Sequence, residues 1–570
     1  MEVKLKYEVA EPFVENLVKA RGKDPETFLH PDKANLAHPT SLAGMTKAAF
    51  YVRKHAGHKA ATIVDSDCDG FCASAILLNY FKELFPNWEI DYYVHERKGH
   101  GLSDIVEDVD LTEYQLIFLP DAGSNDDIYF NDLSFVDFIV LDHHERTNEA
   151  QLPDNVAIVN NQLSPDYGNK SLSGAGVTWQ FCRYLDELYE TDFAWQFIDL
   201  AATAIIGDIM DITTPENRYI ITEGLANYSN TFLCRLRDAA AFKLGPTLTP
   251  TGVAFYIVPQ INAMCRMGSI DEKKRMFLSF VDPFAQVECH KRGVAAGTMV
   301  DVVIESVREC TNAKNRQKRL QDNMASLCDQ QIMENDLLSN KIVVITLDEN
   351  FDDMPSEMNG VTATKVANET GHPTLIGRIN DEGMLRGSIR GLSTVNMPPF
   401  KDFLQSSGFF EFVEGHQNAA GFSLPYKKLD KFLDWANEQL KDVDLNTKTW
   451  SVDFQFSPNS SDLSQVIYDL DSVQNLWGQG FPEPLISIPN LRVNRSEISV
   501  MGKDSDTVKI YANGIAFMFF KRTQQQVKDI LKYPRAVFNI VGKANLNRFG
   551  GRTTPQIFVE DYEAREDLGF

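Results

Sequence analysis

Three apolar runs in the first 150 residues each lead into an acidic residue, and this pattern constrains the fold more than any other feature. The run KAATIV leads into Asp65, YQLIFLP into Asp121 and FVDFIVL into Asp142. Short runs of this kind, separated by turns and helical segments, are typical of buried strands in a parallel α/β sheet. Ligands of such sheets bind beyond the carboxyl ends of the strands, so we expect the three acidic ends to meet at one crevice.

Three carboxylates at alternate positions follow the first run, in VDSDCDG. Asp65, Asp67 and Asp69 lie between a predicted strand and a predicted helix. Carboxylates this close repel one another unless cations bind between them, and all-oxygen ligands suit Mg²⁺ or Mn²⁺. An acidic turn that caps the helix is the alternative interpretation. An EF-hand fits less well, because its Gly and downstream Glu are missing at the required spacing.

Two histidines and two further aspartates extend the acidic set. His143 and His144 follow Asp142, and an imidazole among carboxylates favours Mn²⁺ over Mg²⁺. One histidine can bind a metal while its neighbour contacts phosphate or transfers a proton. GDIMDI adds Asp208, our first choice as a ligand, and Asp211, our second, in a helical apolar stretch where an unpaired carboxylate is costly to bury. Such a set can hold two ions about 3.5–4 Å apart, which suits phosphodiester hydrolysis.

The later part of the chain predicts a second α/β unit and a β-rich region. A polar helical stretch over about 301–337 precedes the strand pattern KIVVITL at 341–347. From about 450 the sequence changes to short β-rich runs separated by Gly, Pro and Asn, as in a small barrel or sandwich. We therefore expect an α/β fold with two α/β lobes joined by a long helix and followed by a small β-barrel. The expected domain ranges are 1–300, 301–340, 341–450 and 451–570.

Composition limits the partners and the compartment. The 570 residues include 55 Lys and Arg against 80 Asp and Glu, a formal charge of −25 at pH 7. A nucleic acid would therefore be held by local basic strips or by metal ions, because global attraction to phosphate is excluded. Eight cysteines without a CxxC pair fit neither a disulfide framework nor a zinc ribbon, which favours a reducing compartment. Without a signal-peptide or membrane-span pattern, we expect a soluble intracellular protein.

The order of four motifs resembles a known superfamily. VDSDCDG, PDAG, LDHH and GDIMD, in this order, resemble the motifs of the DHH phosphoesterases. Five further segments resemble landmarks of the RecJ family, single-strand-specific 5′→3′ DNA exonucleases within that superfamily; they are ARGKDPETFLHPD, LSGAGV, PQINAMCRMGS, GSIRG and EGHQNAAGF. WGQGFPEP is similar to the start of the RecJ OB-fold domain. The likeness implies a DHH domain, a DHH-associated domain and an OB-like barrel in the ranges given above.

The resemblance also implies roles for single residues. The two Mn²⁺ or Mg²⁺ ions of the family would be bound here by Asp65, Asp67, Asp69, Asp121, His143 and Asp208. His144 would contact the scissile phosphate, and we expect Asp142 to orient His143, as carboxylates commonly do for metal-bound histidines. A pocket for the DNA 5′-phosphate would comprise Arg97, Arg266, Ser388 and Arg390. Guanidinium forks and a hydroxyl suit a terminal phosphate dianion.

Two departures from the family pattern affect this assignment. The family's Gly-Gly-His is Glu414-Gly415-His416 here, which adds a carboxylate beside His416, the implied phosphate contact. The motif GDIMDI contains two aspartates and lacks the Pro that usually follows, so Asp208 and Asp211 both stay candidates.

Stacking aromatics and cations are expected on the C-terminal barrel, as in other single-strand binders. The candidates are Tyr511, Phe517, Phe519, Lys521, Arg522, Lys543, Arg548, Phe549 and Arg552. Strand alternation must bury one face, so at least half of these aromatics are expected in the core. The segment KANLNRFGGR is expected to be the exposed strip.

The expected function is that of an exonuclease which threads single-stranded DNA between two lobes and releases 5′-mononucleotides by two-metal-activated water attack, in DNA repair, recombination or replication. We expect a monomer that works beside a single-strand-binding protein or helicase, in the bacterial cytoplasm or, if virus-encoded, that of the host. Two alternatives stay open. One is a DHH phosphodiesterase acting on short oligoribonucleotides, cyclic dinucleotides or pyrophosphate. The other is a catalytically inactive protein that binds DNA or a replication partner.

Overall fold

The structure is a computed structural model that describes residues 1–96, 99–148, 151–347, 356–549 and 551–569. The chain divides into two compact units. The N-terminal unit comprises Glu11–Asn315 and Ser472–Glu483. The C-terminal unit comprises Met1–Ala10, Arg316–Asp471 and Pro484–Phe570. Among the described residues, none of the helices combines the length and the apolar composition of a membrane-spanning segment.

The N-terminal unit is built on a five-stranded sheet whose neighbouring strands all run parallel. Across the sheet the strands are Ile90–Val94, Ala60–Val64, Leu116–Pro120, Asp137–Asp142 and Val156–Asn160. Every residue of Ala60–Val64 and Leu116–Pro120 is buried, as expected of parallel strands covered on both faces. The apolar runs that ended in aspartates are therefore central strands, and their carboxyl ends lie at the same edge.

Helices cover both faces of this sheet. The longer helices of the unit are Phe13–Ala20, Met45–His55, Cys68–Leu84, Gly174–Tyr189, Ile198–Gly207, Pro215–Ala226, Thr231–Ala239, Val258–Met267 and Ile270–Val281. The helix Cys68–Leu84 begins where the Asp67 carboxylate accepts a hydrogen bond from the Gly70 N–H at 3.0 Å. Asp67 is thus a helix cap, as the alternative interpretation of VDSDCDG predicted, and its second oxygen stays available to another partner.

The predicted long helix is confirmed as Val302–Glu334, which carries the chain from the N-terminal into the C-terminal unit. In the C-terminal unit, a five-stranded mixed sheet follows in the order Phe412–His416, Ala419–Pro425, Met384–Arg390, Thr374–Ile379 and Val343–Leu347. The helices Asn359–Thr370, Phe400–Ser406 and Leu429–Gln439 belong to the same α/β part. The first of these ends at Gly371 in the left-handed region, as helices commonly do.

A seven-stranded sheet forms the β-rich end of the C-terminal unit. Its strands are, in order, Phe454–Gln455, Leu485–Asn494, Arg535–Phe549, Arg552–Glu566, Ile515–Phe519, Thr507–Ala512 and Ile498–Met501. The strand Glu2–Leu5 also belongs to this unit, because it pairs in parallel with Thr449–Val452. The fold class is therefore the expected one, with two α/β parts, a long helix and a C-terminal β-rich part. The domain boundaries at 300, 340 and 450 stay a prediction.

Candidate metal centre

The carboxylates that follow the central strands lie together at the sheet edge. Asp65 follows Ala60–Val64, and Asp121 follows Leu116–Pro120. Asp65, Asp67 and Asp121 each offer a carboxylate oxygen, and these oxygens all lie within 4.8 Å of one another. Three carboxylates at this separation form an oxygen-rich group of the kind that Mg²⁺ and Mn²⁺ prefer.

A second group of ligand atoms surrounds the ring of His143. Its Nε2 atom lies 3.3 Å from Asp121 Oδ1, 3.5 Å from Asp208 Oδ2 and 3.8 Å from Asp69 Oδ2. The ligand atoms of Asp69, His143 and Asp208 lie within 4.8 Å of one another. Asp121 therefore adjoins both groups, which is the arrangement that two adjacent ions with a shared carboxylate would need.

Asp121 is held in an unusual conformation. Its φ of 66° lies in the left-handed region, which is uncommon for residues other than glycine. The side chain is buried, and among the described residues Oδ1 has no hydrogen-bond partner. A Cβ at Gly174 would lie 2.3 Å from this oxygen, so only glycine permits the close approach. A buried carboxylate oxygen without a donor fits a bound cation, which would satisfy it.

Asp69 is oriented by the start of the next helix. Its two carboxylate oxygens accept hydrogen bonds from the backbone N–H groups of Gly174 and Ala175, each at 2.8 Å. These residues begin the helix Gly174–Tyr189, whose N-terminus favours negative charge. The segment LSGAGV, noted above only as a landmark, thus fixes one carboxylate of the cluster and makes room for another.

The cluster holds more negative charge than a buried site tolerates. Burial, reinforced by the charges of Asp69, Asp67 and Asp65, raises the pKa of Asp121 well above its usual value. Burial also raises the pKa values of Asp65 and Asp69. The pKa of Asp208 rises to about 8 because of burial and the neighbouring charges of Asp69 and Asp67. Divalent cations would relieve this repulsion, so the residues present fit the metal ions that the resemblance implies.

Asp142 orients His144, which corrects the expectation that it orients His143. Asp142 Oδ1 lies 2.8 Å from His144 Nδ1, and the same oxygen accepts the backbone N–H of His143 at 2.7 Å. The strand ends at Asp142, and the same oxygen also accepts the backbone N–H of His144 at 3.2 Å, so the chain turns around the Asp142 carboxylate. The His143 ring is directed instead toward the carboxylate cluster, where burial lowers its pKa and favours the neutral form that binds metals.

His144 carries a positive charge at neutral pH. Its ring is partly buried, which opposes protonation, but the hydrogen bond and the charge of Asp142 raise its pKa to about 9. The side chain is 45% exposed and borders a cavity of about 360 Å³. This cavity is lined by His143, His144, Gln162, Lys170, Ser171, Ile209, Met210, Asp211 and Gln479. A cationic donor beside an open cavity and a carboxylate cluster is suited to contact a phosphate.

His100 belongs to the site although sequence reasoning did not select it. Its Nδ1 lies 3.0 Å from Asp65 Oδ1, and this hydrogen bond raises the pKa of His100. Its ring centroid lies 4.6 Å from that of His144. The available signal was positional, because the loop after the strand Ile90–Val94 opens at the same sheet edge as the aspartates.

The two aspartates of GDIMDI have different surroundings. Asp208 directly follows the helix Ile198–Gly207 and directs its carboxylate toward His143. Asp211 Oδ1 instead accepts hydrogen bonds from the backbone N–H and the hydroxyl of Thr213, at 2.8 and 2.7 Å. The geometry therefore favours Asp208 as a ligand.

The predicted 5′-phosphate contacts are distributed over the chain. Arg97 lies outside the described residues. Arg266 lies on Val258–Met267 in the N-terminal unit, and Asn262 of the same helix accepts the backbone N–H of Cys68 at 2.9 Å. Ser388 and Arg390 lie on one strand of the C-terminal unit.

Of the predicted phosphate contacts in the C-terminal unit, Arg390 already has a hydrogen-bond partner in that unit. The Arg390 Nε donates to the Thr364 hydroxyl at 3.0 Å. His416 ends the strand Phe412–His416 and is exposed, as is Glu414. That these residues form a single 5′-phosphate pocket stays a prediction.

The aromatic candidates on the seven-stranded sheet divide equally between core and surface. Phe517 and Phe519 are buried, whereas Tyr511 and Phe549 are exposed. Lys543 Nζ lies 3.7 Å from Glu560 Oε1. Arg548 forms an ion pair with Asp471, with Nη1 3.1 Å from Oδ1. Arg552 is exposed and pairs across the strands with Phe549, so these two side chains mark the exposed end of KANLNRFGGR.

Comparisons with known proteins agree with this fold. Residues 59–205 match the sequence model of the DHH family, N-terminal domain, and residues 453–561 match that of the RecJ OB domain. The prophage-derived protein YorK of Bacillus subtilis strain 168, assigned by name as a single-strand DNA-specific exonuclease, is 33% identical over 559 residues, covering 96% of this chain and 95% of YorK. The chain belongs to the RecJ family.

Other RecJ proteins are similar over nearly the whole chain. The single-stranded-DNA-specific exonuclease RecJ of Haemophilus influenzae is 22% identical over 597 residues, covering 97% of this chain and 96% of that protein. RecJ of Thermus thermophilus in complex with Mn²⁺ has a TM-score of 0.71 at 21% identity and covers 97% of this chain and 76% of that one. The same protein with Mg²⁺ has a TM-score of 0.64 at 20% identity, covering 97% and 74%. These structures share the RecJ fold.

Proposed function

We propose that this protein is a metal-dependent exonuclease that hydrolyses single-stranded DNA to 5′-mononucleotides in the 5′→3′ direction. The observation that carries the proposal is Asp121, whose buried oxygen adjoins two groups of potential ligands. Relatives that match nearly the whole chain are named single-strand DNA-specific exonucleases, which supports single-stranded DNA as the substrate.

The ion ligands follow from the two groups. Asp65, Asp67 and Asp121 would hold one Mn²⁺ or Mg²⁺ ion. The second ion would be held by Asp69, Asp121, His143 and Asp208. When bound, such a pair supplies an activated water and stabilises the leaving oxygen of a phosphodiester.

The histidines outside the ligand set would act on the substrate. Asp142 holds the His144 ring through Nδ1, which leaves Nε2 to donate a hydrogen bond to the scissile phosphate. His100 adds a second donor on the side of Asp65. Both rings compensate the excess negative charge that a phosphate would otherwise meet in this acidic cluster.

The direction of digestion would come from recognition of the DNA 5′-phosphate. We assign this contact to Arg97, Arg266, Ser388 and Arg390, with His416 as a further phosphate contact. The β-rich end would hold the strand, and the candidates there are Lys543, Arg548 and Arg552 beside the exposed Phe549. A single-strand-binding protein or a helicase would be the partner, and the protein itself would act as a monomer in a bacterial or host cytoplasm.

The test is digestion of one oligonucleotide in three forms with Mn²⁺: 5′-labelled single strand, 3′-labelled single strand and duplex. We expect early release of the 5′ label as mononucleotide, slow release of the 3′ label and weak cleavage of duplex. Asp121→Ala should abolish release, whereas Asp211→Ala, which removes a nearby carboxylate outside the cluster, should retain it. Early release of the 3′ label would reverse the proposed direction. Cleavage of cyclic dinucleotides or short RNA in place of the long strand would replace the proposed substrate.

A further inference from the structure

A surface of the N-terminal unit outside the metal centre combines exposed aromatic rings with positive charge. We propose that Phe242, Lys243, Phe255 and Tyr256, here called the aromatic platform, bind unpaired bases of a single-stranded nucleic acid by stacking. The proposal rests on the proposed function, because it names where the uncleaved strand would contact the N-terminal unit.

The rings of the platform are unusually exposed. Phe242 is 99% exposed and Phe255 69%, whereas isolated phenylalanines of a folded chain are mostly buried. Tyr256 is 37% exposed, and the Lys243 Nζ lies 5.7 Å from the centroid of its ring. This contact places the short helix Ala241–Leu244 beside the segment that carries Phe255 and Tyr256. Exposed aromatics with an adjacent cation are the elements with which proteins bind single strands without sequence preference.

The local backbone fixes how these rings are presented. Val253–Ile257 forms a π-helical turn directly before Val258–Met267. Pro259 lacks an N–H and cannot donate to the carbonyl four residues earlier, which explains the widened turn. The Gln260 side chain donates to the Tyr256 carbonyl in the same turn at 3.0 Å. Such π-turns occur frequently at functional sites, and here the turn has a specific consequence for its side chains.

The turn separates an inner from an outer face. Val253 and Ile257 are fully buried and anchor the segment in the core. Phe255 and Tyr256 therefore point outward on a backbone that packing holds in place. Gly252 lies against Leu244, since a Cβ at this glycine would lie 2.8 Å from the leucine methyl carbon. A rigid support of this kind reduces the entropy lost when a base stacks on the rings.

The segment that carries the platform has a net charge opposite in sign to that of the whole chain. The 47 residues from 224 to 270 contain four basic residues and one acidic residue, in a protein of net charge −25. Lys243 belongs to this set, and so does Arg266 of the proposed 5′-phosphate contact. A polyanion approaching an acidic protein is attracted to such a local basic strip. The charge therefore favours nucleic acid over a basic protein partner.

The platform is connected to the metal centre within the same unit. Phe255 precedes Asn262 by seven residues along one helical run, which corresponds to about 10 Å of helix. Asn262 bonds the backbone of Cys68, within the VDSDCDG motif. A strand whose end lies at the carboxylate cluster would thus meet the platform after a short distance, and stacking there would hold the substrate without entering the reaction.

The experiment measures binding apart from cleavage. The full chain in EDTA is titrated into a fluorescein-labelled oligo-dT of about 20 nucleotides, read by anisotropy, and the combined variant Phe242→Ala/Phe255→Ala is compared with wild type. We expect about tenfold weaker binding for the variant. Phe135→Ala is the matched control, because Phe135 is also an exposed phenylalanine of this unit, 65% exposed, and it should bind as wild type does. An abasic strand of equal length should bind wild type and variant equally.

Each result decides the proposal. With Mn²⁺, the variant should release mononucleotides from an oligonucleotide of about four residues at the wild-type rate, because the short strand does not need the platform. Equal affinity of variant and wild type for oligo-dT, with digestion intact, would overturn the platform and leave the proposed function standing. If the variant binds oligo-dT more weakly but the wild-type protein digests no strand, the platform is supported and the proposed exonuclease function is refuted. A change in oligomeric state with unchanged DNA affinity would assign the surface to a second copy of this chain and overturn the proposal.

Discussion

Asp142 Oδ1 bonds the ring of His144 at 2.8 Å, while the His143 ring beside it faces the carboxylate cluster. The two adjacent histidines therefore differ in role. His143 is kept neutral and oriented toward the ligand groups, and His144 is kept charged and directed toward an open cavity. Replacing that carboxylate should act mainly on His144.

Asp142→Asn is expected to lower kcat by about 10- to 100-fold and to leave KM within a few-fold. In wild type the His144 ring keeps its proton up to its pKa of about 9. Without the Asp142 charge this pKa should fall toward its ordinary value of about 6.5, so the ring is neutral between these limits. The loss should thus be greater at pH 8 than at pH 6, as measured by kcat profiles with saturating Mn²⁺. An equal loss at both pH values would show that Asp142 does not act through the charge of His144.

Metal should stabilise the fold more at pH 8 than at pH 6. In metal-free protein the cluster carboxyls have raised pKa values. The stability that their protonated forms provide is therefore lost as the pH rises, and for Asp208 this loss extends to a pH of about 8. Mn²⁺ replaces those protons and should raise Tm by about 5–10 °C at pH 8. The measurement is thermal unfolding with EDTA or Mn²⁺ at both pH values. Asp121→Asn should show a smaller shift, and a wild-type shift that is larger at pH 6 would contradict the scheme.

Gly174→Ala should weaken metal binding by at least about tenfold. The added Cβ would lie 2.3 Å from Asp121 Oδ1, so the carboxylate or the helix start must move. Gly168→Ala is the control, because nothing lies within 4 Å of a Cβ at that position. Titration with Mn²⁺, followed by the change in Tm, separates the two variants. Wild-type affinity in Gly174→Ala would mean that Asp121 does not bind the ion.

Asp208→Asn and Asp211→Asn should differ although the residues are three apart. Asp208 faces His143, so its replacement should reduce kcat by two orders of magnitude or more, about the effect of losing a metal ligand. Asp211 bonds Thr213, so its variant should keep most of the activity. Initial rates on 5′-labelled single strand provide the comparison. The reverse ranking would assign the ligand role to Asp211.

The site residues that could be predicted from the sequence lie at the ends of central strands. Burial on both faces makes a central parallel strand a continuous apolar run, so its end, and the aspartate that follows, can be located from the sequence. His100 could not be located in this way, because its loop carries no periodic pattern and its partner Asp65 is 35 residues away. The partner of Asp142 lies beyond the strand, in a turn closed by the Asp142 carboxylate, so the strand pattern did not indicate it.

The pairing of strands that are distant in the sequence could not be predicted for the same reason. The strand Glu2–Leu5 pairs with Thr449–Val452, and its own residues are mostly exposed, so their pattern indicates no partner. The segment Ser472–Glu483 includes most of WGQGFPEP, which resembles the start of the RecJ OB-fold domain, yet it belongs to the N-terminal unit.

That segment makes the N-terminal unit dependent on residues far along the chain. The Arg218 side chain, almost wholly enclosed, donates to the backbone carbonyls of Phe28 and Asn475, and the ring of Phe28 packs against Phe481. A fragment ending near residue 315 would leave Arg218 without the second acceptor and Phe28 without its neighbour. Truncating the gene there would thus open buried contacts of the N-terminal unit, which ties the stability of that unit to codons far along the reading frame.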